Sequence, residues 1–192
     1  MQTEKHPLAP FFPAGAEWLF LGSFPPGRER WSMEFYYPNY QNDMWRVFGV
    51  VFFNDKDYFV DKERKRFKKE AIEAFLTKRR IAMYDTAKAV VRLQDNAADK
   101  DLEIVEATDI VEIILKLCDL KNIVATGQKA LDTIITQLTE HDIKIDKPAI
   151  GSYAPFSVNN RTLRLYGMPS TSRAYPIGLA KKADIYRKMF TR

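Results

Sequence analysis

Trp18-Leu19-Phe20-Leu21-Gly22-Ser23-Phe24-Pro25-Pro26-Gly27 is the stretch on which the fold reading turns. The run Trp18 to Leu21 is continuously apolar and stops at Gly22, the pattern of a short strand buried on both faces. The Pro/Gly-rich segment that follows is a turn. A strand covered on both sides implies neighbours of the same kind with helices packed over them. Ile81 to Tyr84 and Asn122 to Thr126 repeat the pattern, the second closed by Gly127, and Thr162 to Tyr166 alternates apolar and polar side chains. Helical spacing fills the intervals. Asp43 to Phe53 starts as a helix with Met44, Val47 and Phe48 on one face, and Lys62 to Arg80 places Phe67, Ile72 and Phe75 at helical intervals. Thr108 to Cys118 reads as a well-buried helix capped by Thr108 or Asp109. Gln128 to Leu138 and Leu179 to Phe190 are amphipathic. Parallel strands need helical crossovers, so the expectation is an α/β three-layer sandwich with a central, largely parallel four-stranded sheet flanked by helices. With no repeat or linker-like tract, residues 1–192 are expected to form a single domain.

Composition narrows the function classes. The single cysteine, Cys118, sits in an apolar run and is expected to be buried; it allows no intramolecular disulfide and suits a reducing, cytoplasmic setting. Met1 to Pro13 lacks the basic-then-apolar order of a signal peptide, and no apolar run approaches the roughly 20 residues that span a bilayer, so no membrane partner is expected. The formal charge of +5 favours polyanionic partners. Much of it lies in Lys62 to Arg80, which reads as a solvated helix face. Two scattered histidines and one cysteine give no metal-ligand spacing.

In open α/β sheets function gathers at the carboxyl ends of the strands, which singles out the loops after Leu21, Tyr84, Thr126 and Tyr166. The first loop lacks the Gly-Lys-Ser/Thr ending of a phosphate-binding P-loop. It is not a serine-hydrolase elbow either, because Ser23 directly follows Gly22 and both His6 and His141 lie outside the expected mouth loops. Tyr36 to Trp45 is dense in aromatic and amide groups able to stack on and hydrogen-bond a flat base. Met168 to Arg173 gathers hydroxyls and a guanidinium suited to phosphate oxygens. Taken singly, each of these loops reads equally well as a structural turn.

Taken together and in order, they resemble the uracil-DNA glycosylase superfamily, most closely its hypoxanthine-DNA glycosylase and mismatch-specific branches. Gly22 to Gly27 is similar to the first diagnostic motif, Tyr36-Tyr37 through Asn42 to Trp45 to the stretch after it, and Ile81 to Asp85 to an apolar strand ending in Trp-Asp. Ala125 to Ala130 resembles the Asn-Gly-x-x-Ala segment, and Met168 to Ser172 the second diagnostic motif. The mismatch-specific branch carries a catalytic Asn where this chain has Ser23 and Phe24. In the hypoxanthine branch that role falls to the position matching Asn42, beside which Tyr40, Gln41 and Met44 replace the usual Pro, Arg and Phe.

The resemblance implies a monofunctional DNA glycosylase acting on a deaminated base, uracil or hypoxanthine, in base-excision repair. Asn42 would orient water and the Ser23 to Gly27 loop would turn backbone N–H groups to the leaving base. Phe24, Tyr37 and Asp85 would hold the flipped base, and Ser170, Thr171, Ser172 and Arg173 the flanking phosphates. The implied partner is DNA with a damaged or mismatched base, bound by a monomer without cofactor or metal. The alternatives are a non-catalytic DNA-binding or damage-sensing module on the same fold, and a small-molecule hydrolase using the same cleft.

Overall fold

The computed structural model describes residues 2–93 and 102–191. In chain order the elements are β1 (Thr3–Lys5), β2 (Trp18–Gly22), α1 (Met44–Phe53), β3 (Val60–Asp61), β4 (Arg66–Phe67), α2 (Lys69–Lys78), β5 (Ile81–Asp85), β6 (Ala87–Arg92), β7 (Leu102–Ala107), α3 (Ile110–Lys116), β8 (Asn122–Thr126), α4 (Gln128–Glu140), β9 (Ser152–Val158), β10 (Arg161–Met168) and α5 (Leu179–Phe190).

The central sheet has the order β5-β2-β8-β10-β9, and all neighbours are parallel except the β10–β9 pair. The four expected strands are therefore its parallel core, and the expected four-stranded sheet is corrected to five. The additional strand, β9, is an edge that alternates buried Ala154, Phe156 and Val158 with exposed Tyr153, Pro155 and Ser157. Pro155 is tolerated because an edge strand need not donate every N–H.

Register decides which side chains face which helices. Phe20 pairs with Val124, which pairs with Tyr166, and on this face Phe20 meets Phe48 of α1 and Phe190 of α5 at ring distances of 5.4 and 6.1 Å. Leu21, Ala125 and Gly167 lie on the opposite face, where a Cβ on Gly167 would stand 3.1 Å from Leu131 of α4. Helices on both faces make the three layers, and side-chain alternation along each strand supplies both interfaces.

Two further sheets flank this body. A three-stranded antiparallel sheet has the order β1-β6-β7, and β3 pairs with β4 in a short hairpin. The hairpin corrects the expected helix over Lys62 to Arg80. Lys65 has a left-handed φ of 48° and Asp61 Oδ1 accepts from the Arg64 N–H, so the chain turns there and α2 begins only at Lys69. α3 also differs from expectation, since Leu115 is exposed and Cys118 lies past the helix end on the surface rather than in the core. Among the described residues no helix is long and apolar enough to cross a membrane.

Phe20 is fully buried at the junction of β2, α1 and α5. Phe20→Ala is expected to lower unfolding free energy by about 3–5 kcal/mol in a urea titration, because the lost ring leaves a cavity between two layers.

Candidate active site

The carboxyl ends of β2, β5, β8 and β10 open on one cleft of about 1460 Å³. This exceeds the roughly 300–1,000 Å³ of most small-ligand pockets. Ser23, Phe24, Tyr37, Asn42, Asp85, Ser170, Thr171, Ser172 and Arg173 all line it. The sequence candidates therefore share a site, although several are engaged differently from expectation.

Asp85 ends β5, and parallel pairing sets it beside Gly22 of β2. Its Oδ1 lies 2.5 Å from where a Cβ on Gly22 would sit, and the Tyr37 hydroxyl lies 3.3 Å from the same point. Only glycine leaves that carboxylate its place. Asp85 Oδ2 is 2.9 Å from His6 Nε2, with both side chains almost fully buried.

His6 thus belongs to the site, contrary to the expectation that both histidines lie away from the mouth. Antiparallel pairing of β1 with β6 brings it there, and its own N–H donates to Lys88 O at 2.8 Å. Its Nδ1 lies 2.9 Å from Leu8 O and 3.2 Å from the Leu8 N–H. With Nε2–H donating to Asp85 Oδ2, the Nδ1 of the neutral ring accepts from the Leu8 N–H. Burial, reinforced by the Asp85 carboxylate, holds the Tyr36 and Tyr84 hydroxyls above the usual tyrosine range, so the rings around Asp85 stay neutral.

Tyr37 adopts a left-handed φ of 50°, uncommon for a bulky residue. The Tyr37 hydroxyl shares a hydrogen bond of 2.7 Å with Thr126 Oγ1, which also lies 3.2 Å from Leu21 O. The strained backbone is held by this bond and by the edge contact of Tyr37 with Trp45 at 6.1 Å.

Asn42 lines the cleft, but its Oδ1 accepts from the Met44 N–H at 2.8 Å and so also starts α1. Its amide N–H groups have no hydrogen-bond partner among the described residues.

The first-motif loop departs from expectation in one respect. Pro25 and Pro26 have no N–H, so only Ser23, Phe24 and Gly27 can offer backbone donors. The proline carbonyls are tied back instead, Pro25 O by Arg92 at 2.7 Å and Pro26 O by Trp31 Nε1 at 2.8 Å. Phe24 stands edge-on to His6 at 5.3 Å, close above the Asp85 pair.

An NMR structure from Methanosarcina acetivorans, of a protein bearing the name "putative Uracil DNA glycosylase", has a similar fold. The TM-score is 0.62 at 20% sequence identity, over 98% of this chain and 99% of that one. No protein-family model matches the sequence. No match is found among curated proteins.

The second-motif loop is anchored from below. Asp43 is buried, its Oδ2 accepting from Lys182 Nζ at 3.0 Å and its Oδ1 from Arg173 Nε at 3.2 Å. Lys182 Nζ also donates to Ser172 O at 2.7 Å, and the Asp43 N–H to Thr171 O at 2.9 Å. Asp43 therefore joins α1, α5 and the loop. Arg173 spends its Nε on Asp43 while half of its side chain stays exposed to the cleft side. Thr171 is only 2% exposed and is mainly part of this anchor. Ser170 and Ser172 accept backbone N–H groups two residues on, forming successive turns.

Sequence reading missed His6 and Lys182, and gave no role to the start of α4, although it singled out the loop after Thr126. The first two are single residues on short or amphipathic elements, without a local signal. The third had one, since Gly127 closes β8 directly before the helix. Gly127 has a φ of 117° and stands next to Ser170, and Gln128 and Lys129 line the cleft, so the positive end of a thirteen-residue helix faces it. Among the described residues no group of three or more metal-ligating side chains occurs.

Two outcomes are expected. Gly22→Ala should lower the melting temperature by an amount equivalent to about 1–3 kcal/mol, because the new methyl must displace a carboxylate that His6 holds in place. Lys182→Met should cost about 3 kcal/mol in chemical denaturation, since Asp43 would keep its buried charge with one cation fewer.

Proposed function

We propose that this chain is a monofunctional DNA glycosylase that hydrolyses the N-glycosidic bond of a deaminated base, uracil or hypoxanthine, in DNA. The supporting observation is convergence on one strand-end cleft of a carboxylate, an amide, aromatic faces and a rim bearing Ser170, Ser172 and Arg173. A base flipped from the duplex would enter between Phe24 and Tyr37 with its polar edge toward Asp85. Its flanking phosphates would meet the rim and the N-terminal end of α4.

Breaking the bond leaves its electron pair on the base nitrogen and cationic character on the sugar; water then bonds to C1′ and gives up a proton, which solvent returns to the departing base anion. Asn42 offers amide N–H groups and its remaining oxygen lone pair to position that water. The Phe24 and Gly27 N–H groups of the first-motif loop would face the departing base. No lysine is proposed as a nucleophile: Lys129 lines the cleft but its ammonium is bonded to Leu102 O, and Lys182 is buried against Asp43. A cytoplasmic single-domain monomer accords with the one cysteine and with full-length similarity to one compact fold.

The engagement of Asn42 Oδ1 by Met44 favours a second reading, a damage-sensing module without catalysis. Incubation with duplexes carrying a single uracil or hypoxanthine, followed by alkali, separates the two. Strand cleavage is expected, reduced about 100-fold or more in Asn42→Ala, with no borohydride-trapped adduct. Duplex binding without cleavage of either lesion would establish the sensing module instead.

A further inference from the structure

We propose that His6 is a positioning residue that makes Asp85 a one-oxygen, acceptor-only reader of the base, selecting a ring N–H. This role rests on the glycosylase reading above and deepens it. The geometry has three parts. His6 Nε2 holds Asp85 Oδ2 at 2.9 Å. Asp85 Oδ1 lies against the Gly22 backbone, beside the Tyr37 hydroxyl, on the lining of the cleft. Asp85 is 5% exposed, so whatever reaches it does so through the cleft and not from bulk water.

An ionised carboxylate accepts and never donates. Uracil and hypoxanthine carry a ring N–H where cytosine and adenine, their parents, present a bare ring nitrogen. Oδ1 would bond the deaminated base and repel the lone pair of the parent. Thymine and guanine also have a ring N–H, so this contact separates each deaminated base from its own parent and leaves other exclusions to the rest of the site.

Asp85 can do this only while it stays an acceptor. A buried carboxylate is costly unless a donor meets it, and a donor on Oδ2 fixes which oxygen is turned to the cleft. His6 meets Oδ2 with its Nε2–H while Nδ1 accepts from the Leu8 N–H. The other titratable groups packed around the pair are Tyr36 and Tyr84, held neutral by burial, with Glu106 beyond Tyr84 and the Tyr37 hydroxyl on the Oδ1 side. His6 Nε2 is the group that meets Oδ2.

The test compares wild type, His6→Phe, His6→Gln and Asp85→Asn on duplexes containing single uracil, cytosine, hypoxanthine or adenine targets, with free uracil or hypoxanthine added as inhibitor. Melting temperatures are measured alongside so that rates refer to folded protein. Loss of a hydrogen bond to a charged group corresponds to about 10- to 100-fold. His6→Phe and Asp85→Asn should each lose kcat/KM on uracil and hypoxanthine by such a factor, with weaker inhibition by the free base and a smaller ratio of deaminated to parent base. His6→Gln keeps a side-chain N–H donor and should recover part of both the rate and the ratio. Wild-type rate, ratio and inhibition in folded His6→Phe would overturn the role of His6 while leaving the glycosylase intact. So would a His6→Gln protein no better than His6→Phe. Absence of excision by the wild-type chain would instead remove the reading on which the role depends.

Discussion

Backbone hydrogen bonding of β2 to β5 on one side and to β8 on the other sets everything that follows. Parallel pairing in this register aligns the carboxyl ends of the strands, so that Gly22 lies beside Asp85 and Leu21 beside Ala125. The three loops that leave those ends must then share one space. A slip of one residue would turn Phe20 away from α1 and α5 and would set a side chain other than Asp85 over Gly22. The apolar faces that fix the register and the polar groups that line the cleft are thus two consequences of one pairing.

Two buried carboxylates finish the construction, each satisfied by groups from distant parts of the chain. Asp85 is held by His6, which reaches it from the small antiparallel sheet. Asp43 is held by Lys182 and Arg173, which tie α5 and the second-motif loop to the start of α1. A buried charge demands partners of fixed geometry, so these contacts constrain the loops more tightly than apolar packing would. The difference between them is instructive. Asp43 spends both oxygens on protein cations and serves as an anchor, whereas Asp85 has its second oxygen turned to the glycine floor of the cleft.

The parallel strands were legible because a strand buried on both faces must be continuously apolar, and the runs at Trp18, Ile81 and Asn122 have no other comfortable reading. β9 was not legible, since an edge strand covered on one face alternates and carries Pro155. The β1-β6-β7 sheet was missed because β1 is a three-residue polar strand and β6 and β7 interleave apolar with charged side chains, and so was His6, whose position depends on a contact 79 residues away in sequence. The candidate residues line one cleft because strand-end loops are where an α/β sheet gathers its polar groups. What sequence could not give was their engagement: that Asn42 also begins a helix, or that Thr171 is buried.

The central claim is that a flipped base occupies this cleft with its polar edge at Asp85. The most direct measurement is a crystal structure of the protein bound to a duplex carrying one 2′-fluoro-deoxyinosine, whose glycosidic bond resists hydrolysis. The account predicts an extrahelical hypoxanthine between Phe24 and Tyr37, its ring N–H within hydrogen-bond distance of Asp85 Oδ1 and its neighbouring phosphates at Ser170, Ser172 and Arg173. A duplex bound elsewhere, or bound here with the base still stacked in the helix, would contradict it.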